Sequence, residues 1–173
     1  MANQGSLAVN RSARVRVSTQ IYTPSKANTT VRNYAINEKR MAQKMVDATL
    51  RDKEIDLEMK HGNLIIQLTP ACFLHFNEAI LQHFLQHDTY IADIHERFDK
   101  SKKLVERSVS IKGKDNRKLQ LFRINIYHTT MNLEINGRQM QLFMPELKKI
   151  IDKLKNVQGL DRLNALIREK CTY

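Results

Sequence analysis

The order of apolar and polar residues between Lys118 and Leu154 constrains the fold more than any other part of this chain. Apolar residues first alternate with polar ones, which indicates strands, and after Pro145 they recur at helical spacing. Before that change stands Asn136-Gly137, a dipeptide suited to a tight type I′ hairpin because both of its positions need a positive φ. The stretch therefore predicts two strands, a hairpin into a third strand, and an amphipathic helix that Pro145 opens.

A shorter version of that order occurs earlier, between Ile55 and Leu85. An alternating segment runs into a turn at residues 61–63, and a nearly continuous apolar strand then leads to Pro70. The repeated order predicts an α+β fold in which two related halves, each an antiparallel meander followed by a helix, form one compact domain. We expect a disordered basic arm at residues 1–12, the first half at 13–103, and the second half with a C-terminal helix at 104–173.

Local signals predict the remaining elements. Asn37 is suited to cap a helix that runs to about Arg51, and Thr69 to cap the helix that Pro70 begins. We expect this second helix to break or bend near residues 87–89, after which its apolar stripe continues to Phe98. Strands are predicted at residues 11–22 and 104–111, a loop at 23–33, and a last helix at 160–170.

The charge of the chain favours a polyanionic partner. The 29 Lys and Arg residues outnumber the 18 Asp and Glu residues, so the formal net charge is +11. The first 37 residues contain five cations and no carboxylate. This bias is typical of nucleic-acid-binding arms and also of organelle targeting segments, but alternation between Arg11 and Tyr22 favours a strand over an amphipathic targeting helix.

One predicted strand carries cations and an aromatic ring on the face away from the core. Phe122, Ile124 and Ile126 are expected to point inward, so Arg123, Asn125 and Tyr127 point outward. Such a surface can stack a base and neutralise phosphates, as in binders of single strands that tolerate many sequences. The predicted nucleic-acid-binding residues belong to this face, the basic turn before it and the arm: Arg11, Arg14, Arg16, Lys112, Lys114, Arg117, Lys118, Arg123 and Tyr127.

Two interpretations stay open for the strand residues of this set. They equally suit ordinary solvated positions, and Glu134 on a neighbouring outward position is able to pair with Arg123. A second basic group occupies residues 100–107. A third, on the predicted helix at residues 148–155, is typical of a solvated helix face.

Catalytic and metal-binding motifs are weak. His83 and His87 stand four residues apart on one predicted helix, which suits two metal ligands, but local spacing indicates no third ligand. His128 would need a partner to act as a general base. Phosphate-cradling glycine loops and nucleophile elbows are missing, so we expect a protein that is not an enzyme and holds no metal or cofactor, with a nucleic-acid hydrolase as a weaker alternative.

The expected surroundings follow from the apolar runs and the cysteines. No run approaches the roughly 20 apolar residues of a membrane helix, and the N-terminus lacks the apolar core of a secretory signal. Cys72 and Cys171 have neither metal-ligand spacing nor a disulfide framework. We therefore expect no membrane partner and a reducing intracellular compartment, nucleus or cytoplasm, with organelle import left open.

The segment from Ile124 to Arg138, followed by Phe143 and the Pro145 helix, resembles a hairpin-helix module of uncharacterised proteins encoded by viral or transposon-like elements. The resemblance covers about a quarter of the chain and implies no catalytic residue. The order of paired meanders closed by helices is also similar to the topology of Whirly and Pur-type single-strand binders. This chain departs from them by a shorter first meander interrupted by a helix, so neither resemblance implies particular site residues.

These observations favour a non-catalytic nucleic-acid-binding protein that contacts single-stranded or structured DNA or RNA through a basic arm and an exposed sheet face. The alternative is an assembly subunit, of a virus or another complex, whose arm contacts nucleic acid or an acidic partner. Its sheets would then mediate oligomerisation, and a homo-oligomer is compatible with both functions.

Overall fold

We describe residues 28–171 of the protein from a computed structural model. Within these residues the chain forms the strands β1 Asn28–Val31, β2 Ile55–Lys60, β3 Asn63–Leu68, β4 Tyr90–Phe98, β5 Leu104–Gly113, β6 Gln120–Tyr127 and β7 Asn132–Asn136. The helices of the same region are α1 Glu38–Thr49, α2 Pro70–Leu85, a 3₁₀ helix Met140–Leu142, α3 Phe143–Leu154 and α4 Leu160–Cys171.

All of these strands belong to one sheet with the order β1-β4-β5-β6-β7-β3-β2. Neighbouring strands pair antiparallel except β1, which lies parallel to β4. The β2–β3 hairpin joins the sheet beside β7, so strands from both predicted halves share one set of hydrogen bonds. The predicted α+β class is confirmed.

The helices pack on one face of this sheet and enclose an aromatic core. Phe84 of α2, Phe122 of β6 and Phe143 of α3 meet with ring centroids 5.9 to 6.2 Å apart. Ile124 and Ile126 are fully buried beside Phe122, as the alternation in β6 predicts. The core therefore fixes which side of β6 faces away from the helices.

Two of the predicted helix starts are observed. The Asn37 side chain accepts a hydrogen bond from the Arg40 amide at 3.0 Å, and α1 begins at the next residue after Asn37. Pro70 is the first residue of α2, but Thr69 makes no capping bond because its hydroxyl donates to the Glu54 carboxylate instead. The last helix, α4, extends one residue beyond the predicted end.

The chain does leave α2 before residues 87–89, but the prediction that the apolar stripe of the helix continues to Phe98 is wrong, because Tyr90–Phe98 is strand β4. Its apolar positions fit helical spacing and strand alternation almost equally, so periodicity alone does not separate the two. Pairing with β5, which sets Ile94 opposite Val109, decides the outcome. The polar stretch 23–33, predicted as a loop, also contributes β1 to the sheet edge.

The hairpin predicted at Asn136-Gly137 and the third strand after it are also wrong. β7 ends at Asn136, and the chain passes through the 3₁₀ helix into α3, which starts two residues before Pro145. Gly137 has a φ of 130°, and a Cβ there would lie 2.7 Å from the Phe122 Cα. Glycine is therefore required for close passage beside β6, not for a type I′ turn.

Candidate functional site

The face of the sheet opposite the helices is polar, and its cations are largely paired. Lys112 Nζ lies 2.7 Å from Asp93 Oδ2, and Arg97 Nη1 lies 2.8 Å from Glu106 Oε2. These pairs occupy the strands β4 and β5, next to the predicted binding strand β6. The middle of this face is therefore charge-balanced and offers phosphates little net attraction.

Arg123 on β6 forms no ion pair with any other residue in the range 28–171. Its guanidinium donates to Ser110 Oγ at 3.3 Å and to Gln120 Oε1 at 3.1 Å, both uncharged acceptors. The predicted alternative, a pair with Glu134, does not form. Arg123 is exposed, so its charge faces solvent near the start of the strand.

Tyr127 stands on the same face as Arg123 but is held in place. Its hydroxyl donates to Glu134 Oε2 at 3.0 Å, and Glu134 also accepts from the Asn63 amide at 2.6 Å. Burial, reinforced by the Glu134 hydrogen bond, raises the pKa of Tyr127 to about 12. The ring lies about 13 Å along the strand from Arg123, at roughly 3.3 Å per residue.

Cations that have no ion pair among the described residues lie at the end of the sheet where β5 turns into β6. Lys114, Arg117 and Lys118 are exposed in this turn, and Lys114 is anchored by its amide, which donates to the Thr89 carbonyl at 3.0 Å. Exposed Arg138 follows β7, and the neighbouring amide of Gln139 donates to the Leu121 carbonyl at 3.1 Å. We name the basic end as the following set: Lys114, Arg117, Lys118, Arg123 and Arg138.

No member of the basic end forms an ion pair within residues 28–171. Asp115 is the acidic residue of the same turn and has no such pair either. Arg138 is not among the residues predicted from the sequence, because the expected hairpin at Asn136-Gly137 would give it different neighbours. The contact between the 3₁₀ segment and β6 brings it to this end of the sheet.

Each of the other two basic groups contains cations that form ion pairs. Arg107 is paired with Glu96 at 2.5 Å, and Lys103 is paired with Glu38. On α3, Lys149 pairs with Glu146, whereas Lys155 pairs with Asp152 at 2.6 Å. The predicted arm residues Arg11, Arg14 and Arg16 lie outside the described residues.

A cavity of about 370 Å³ lies at the opposite end of the sheet, beside the start of α1. Its lining residues include Tyr34, and also Arg40 and Lys44, which stand one helical turn apart on α1. The Lys100 amide donates to the Tyr34 carbonyl at 3.0 Å, which brings the second basic group close to this cavity. The sequence does not indicate this cavity, because its lining residues and the second basic group come from separate segments of the chain.

Two histidines on α2 meet a carboxylate of α3. Glu146 Oε2 lies 2.6 Å from His83 Nε2 and 3.3 Å from His87 Nε2. Burial lowers the pKa of His83, although Glu146 acts against that effect. Burial by itself would raise the pKa of Glu146, but hydrogen bonds from His83 and Lys149 lower it.

Sequence analysis identified the two histidines but not their third neighbour. Glu146 is 63 residues away from His83 along the chain, and packing of α2 against α3 joins them. No local spacing carries that information. The structure supplies the third donor that the sequence did not indicate.

His128, at the turn between β6 and β7, has no partner for general-base catalysis in the described part of the chain. Its Nε2 is buried and forms no hydrogen bond with residues 28–171. The ring stands edge-on to Phe73 with centroids 5.3 Å apart. Burial first, and then the nearby Arg107, lower the pKa of His128 to about 4.

Comparisons with protein-family models, with curated proteins and with solved structures found no match to this chain. Within residues 28–171, no helix has both the length and the apolar character needed to span a membrane. The residues of the sites themselves are therefore the basis for a proposed function.

Proposed function

We propose that the protein binds nucleic acid without catalysing a reaction, and that single-stranded or structured DNA or RNA lies across the basic end. The observation that carries this proposal is the grouping of five exposed or solvent-facing cations that lack ion pairs within residues 28–171. Backbone phosphates are the partners that such a group attracts, because each neutralised phosphate releases condensed counterions.

The carboxylates of the sheet support a smaller set of contacts than the sequence predicts. Lys112 forms an ion pair with Asp93, and the Tyr127 hydroxyl donates a hydrogen bond to Glu134. The side chains of Lys112 and Tyr127 are therefore less available to a nucleic acid. Lys114, Arg117, Lys118 and Arg123 remain in the proposed interface, and Arg138 is added to them. Arg11, Arg14 and Arg16 of the arm remain proposed phosphate contacts.

A cavity suited to a base is lined by one of these cations, Lys114. This cavity of about 300 Å³ is lined by His87, Tyr90, Ile91 and Lys114, among others. The rings of His87 and Tyr90 have centroids 4.5 Å apart and form an aromatic wall. Since bases stack on aromatic faces largely without regard to sequence, this wall supports a binder that tolerates many sequences.

The test compares two triple variants with the same loss of charge. Replacing Lys114, Arg117 and Lys118 with Gln should weaken binding of a fluorescent single-stranded oligonucleotide, measured by anisotropy at several salt concentrations. If these cations contact three phosphates, the slope of log K against log salt should fall by about 2.

The matched control replaces Lys39, Arg162 and Lys170 with Gln, since all three are exposed and none forms an ion pair among the described residues. Their removal should lower affinity only slightly, through the long-range field, and leave the slope unchanged. Equal losses in the two triple variants would refute a defined interface at the basic end. Binding independent of salt would refute the phosphate-based function altogether.

A second candidate, an assembly subunit, is favoured by the outer edge of β2, which pairs with no other strand within residues 28–171. Leu57 is 43% exposed and Met59 is 60% exposed on this edge strand. Two antiparallel β2 strands centred on Glu58 would set Leu57 against Met59 and Asp56 against Lys60 of the other copy. Glu58 would lie opposite Glu58 of the other copy. The attraction of the other pairs would have to exceed the repulsion between these two carboxylates.

Light scattering with size exclusion distinguishes this candidate from the first. A dimer that dissociates when Leu57 and Met59 are replaced with Ser, without loss of oligonucleotide binding, would support assembly through β2. A monomer at all accessible concentrations would refute it.

A further inference from the structure

We propose that His83, His87 and Glu146 form a binding site for a divalent transition metal, with Zn²⁺ as the best-fitting ion. This proposal does not depend on nucleic-acid binding. It depends on a juxtaposition of three donor side chains from two helices that packing holds together.

The positions of the donor atoms suit one ion. The nitrogen and oxygen donors of the three side chains all lie within 4.8 Å of one another. In a tetrahedral zinc site with bonds of about 2.0 to 2.1 Å, neighbouring donors are about 3.3 Å apart. His87 Nε2 and Glu146 Oε2 already have this separation of 3.3 Å, while His83 Nε2 must move from its hydrogen-bonded distance of 2.6 Å.

The helices provide these positions. Residues four apart in a helix lie on the same face, so His83 and His87 project from α2 toward the same space. Glu146 is in the first turn of α3, which packs against α2. The side chains of His83 and Glu146 are each only 8% exposed, so both donors have little freedom to turn away.

The chemistry of the donors selects the class of ion. Imidazole nitrogens favour zinc, copper, nickel and iron, whereas magnesium and calcium prefer oxygen ligands. Two histidines and one glutamate also form the protein ligand set of zinc sites that keep a fourth position open. A groove of about 250 Å³ lined by His83 and His87, together with Gln82, Asp88 and Lys153, gives water access to that position.

Thr89 can orient His87 for the ion. Its Oγ1 lies 3.0 Å from His87 Nδ1 and can accept a hydrogen bond from the protonated Nδ1, which leaves Nε2 for the metal. In the structure the Thr89 amide donates to Nδ1 at 3.2 Å. That geometry puts the ring proton on Nε2, directed at Glu146. Metal binding at Nε2 therefore requires the ring proton to be on Nδ1 instead, where it donates to Thr89 Oγ1.

Lys149 competes with the metal for the carboxylate. Its Nζ lies 3.1 Å from both oxygens of Glu146, and the lysine side chain is 57% exposed. Glu146 can bind the ion through Oε2 while Oε1 keeps the lysine. Because the two cations share one carboxylate, removal of the lysine charge should strengthen metal binding.

The test uses the full chain after treatment with a chelator. Calorimetric titration with ZnCl₂ should show one ion per chain, and Co²⁺ should give the visible absorption of a tetrahedral site. Zinc should also raise the melting temperature, because an ion that binds only the folded state stabilises it.

Variants locate the ion. His87→Gln should weaken zinc binding by at least about 10-fold and Thr89→Val by about 10-fold, since partners of metal ligands typically contribute that much. Lys149→Met should strengthen it, whereas the control His75→Gln, elsewhere on α2, should leave it unchanged.

Glu146→Gln tests the third donor and should weaken zinc binding and abolish the tetrahedral Co²⁺ spectrum. If that variant does not fold, His87→Gln and Lys149→Met still decide the matter, because His87 is partly exposed and Lys149 is largely so. Absence of binding by Zn²⁺, Co²⁺ and Ni²⁺ would overturn the proposal and leave a metal-free histidine–carboxylate contact between the helices. Binding that His87→Gln does not weaken would also overturn it, because the ion would then lie elsewhere.

Discussion

Acidification should destabilise the fold through His128. A variant that lacks this histidine separates its effect from those of the other titrating groups. The Nε2 of this ring is buried and has no hydrogen-bond partner within residues 28–171. Burial, with a smaller contribution from Arg107, lowers the pKa of His128 from 6.5 to about 4. Protonation would therefore leave a buried charge beside the edge-on ring of Phe73.

The sign and size of the effect follow from linkage between protonation and folding. The unfolded chain takes up the proton near the ordinary histidine pKa, whereas the folded chain resists it until the pH is near 4. The contribution of the neutral ring is therefore complete above about pH 6.5 and is lost as the pH falls toward the folded value. Between pH 7.5 and pH 5, the free energy of unfolding should fall by about 2 kcal/mol from this residue.

The assay is urea unfolding followed by circular dichroism at several pH values in that range. His128→Leu removes the titrating group, so its unfolding free energy should depend less steeply on pH than that of the natural chain. His61→Asn is the matched control, because His61 is an exposed turn residue with a φ of 51° that asparagine tolerates. Identical pH dependence in the natural chain and His128→Leu would refute the argument, whatever the stability of the variant at pH 7.5.

Three further predictions concern stability and are checked by the same unfolding assay. Ile124→Ala should lower the free energy of unfolding by about 2 to 5 kcal/mol, because Ile124 is fully buried in the core; a loss below 1 kcal/mol would contradict that packing. Gly137→Ala should be strongly destabilising, by more than about 1 kcal/mol, because a Cβ there meets backbone at 2.7 Å, whereas Gly113→Ala meets only a side-chain atom at 4.0 Å; equal effects would disprove the steric explanation. Tyr127→Phe should cost about 1 kcal/mol through the lost hydrogen bond to Glu134, and an unchanged midpoint would show that this bond contributes nothing.

Local sequence patterns were sufficient for the secondary structure wherever one period or one capping signal dominated. Alternation in β6 predicted which residues enter the core, because side chains of a strand point to opposite faces in turn. Asn37 and Pro70 predicted two helix starts because capping oxygens and the missing proline amide act within one helical turn. The α+β class followed from these elements.

Local patterns gave wrong predictions where the apolar residues fit both helical and strand periods, or where a contact with a distant segment determined the conformation. Tyr90–Phe98 forms a strand because it pairs with β5 along its length. The sequence of the segment alone does not indicate that pairing. The sequence places Gly137 in a hairpin turn, whereas in the structure it allows the chain to pass close to the Phe122 backbone. Both errors arose from interactions between segments far apart in sequence.

The two candidate sites also differ in what the sequence and the tertiary structure each determine. The excess of cations and the spacing of His83 and His87 were visible in the sequence alone, because charge and helical periodicity are local properties. Which cations stay unpaired, and that Glu146 completes the histidine pair, depended on tertiary structure. Ion pairs and ligand sets form between side chains a few ångströms apart in space, and only the packed sheet and helices determine those neighbours.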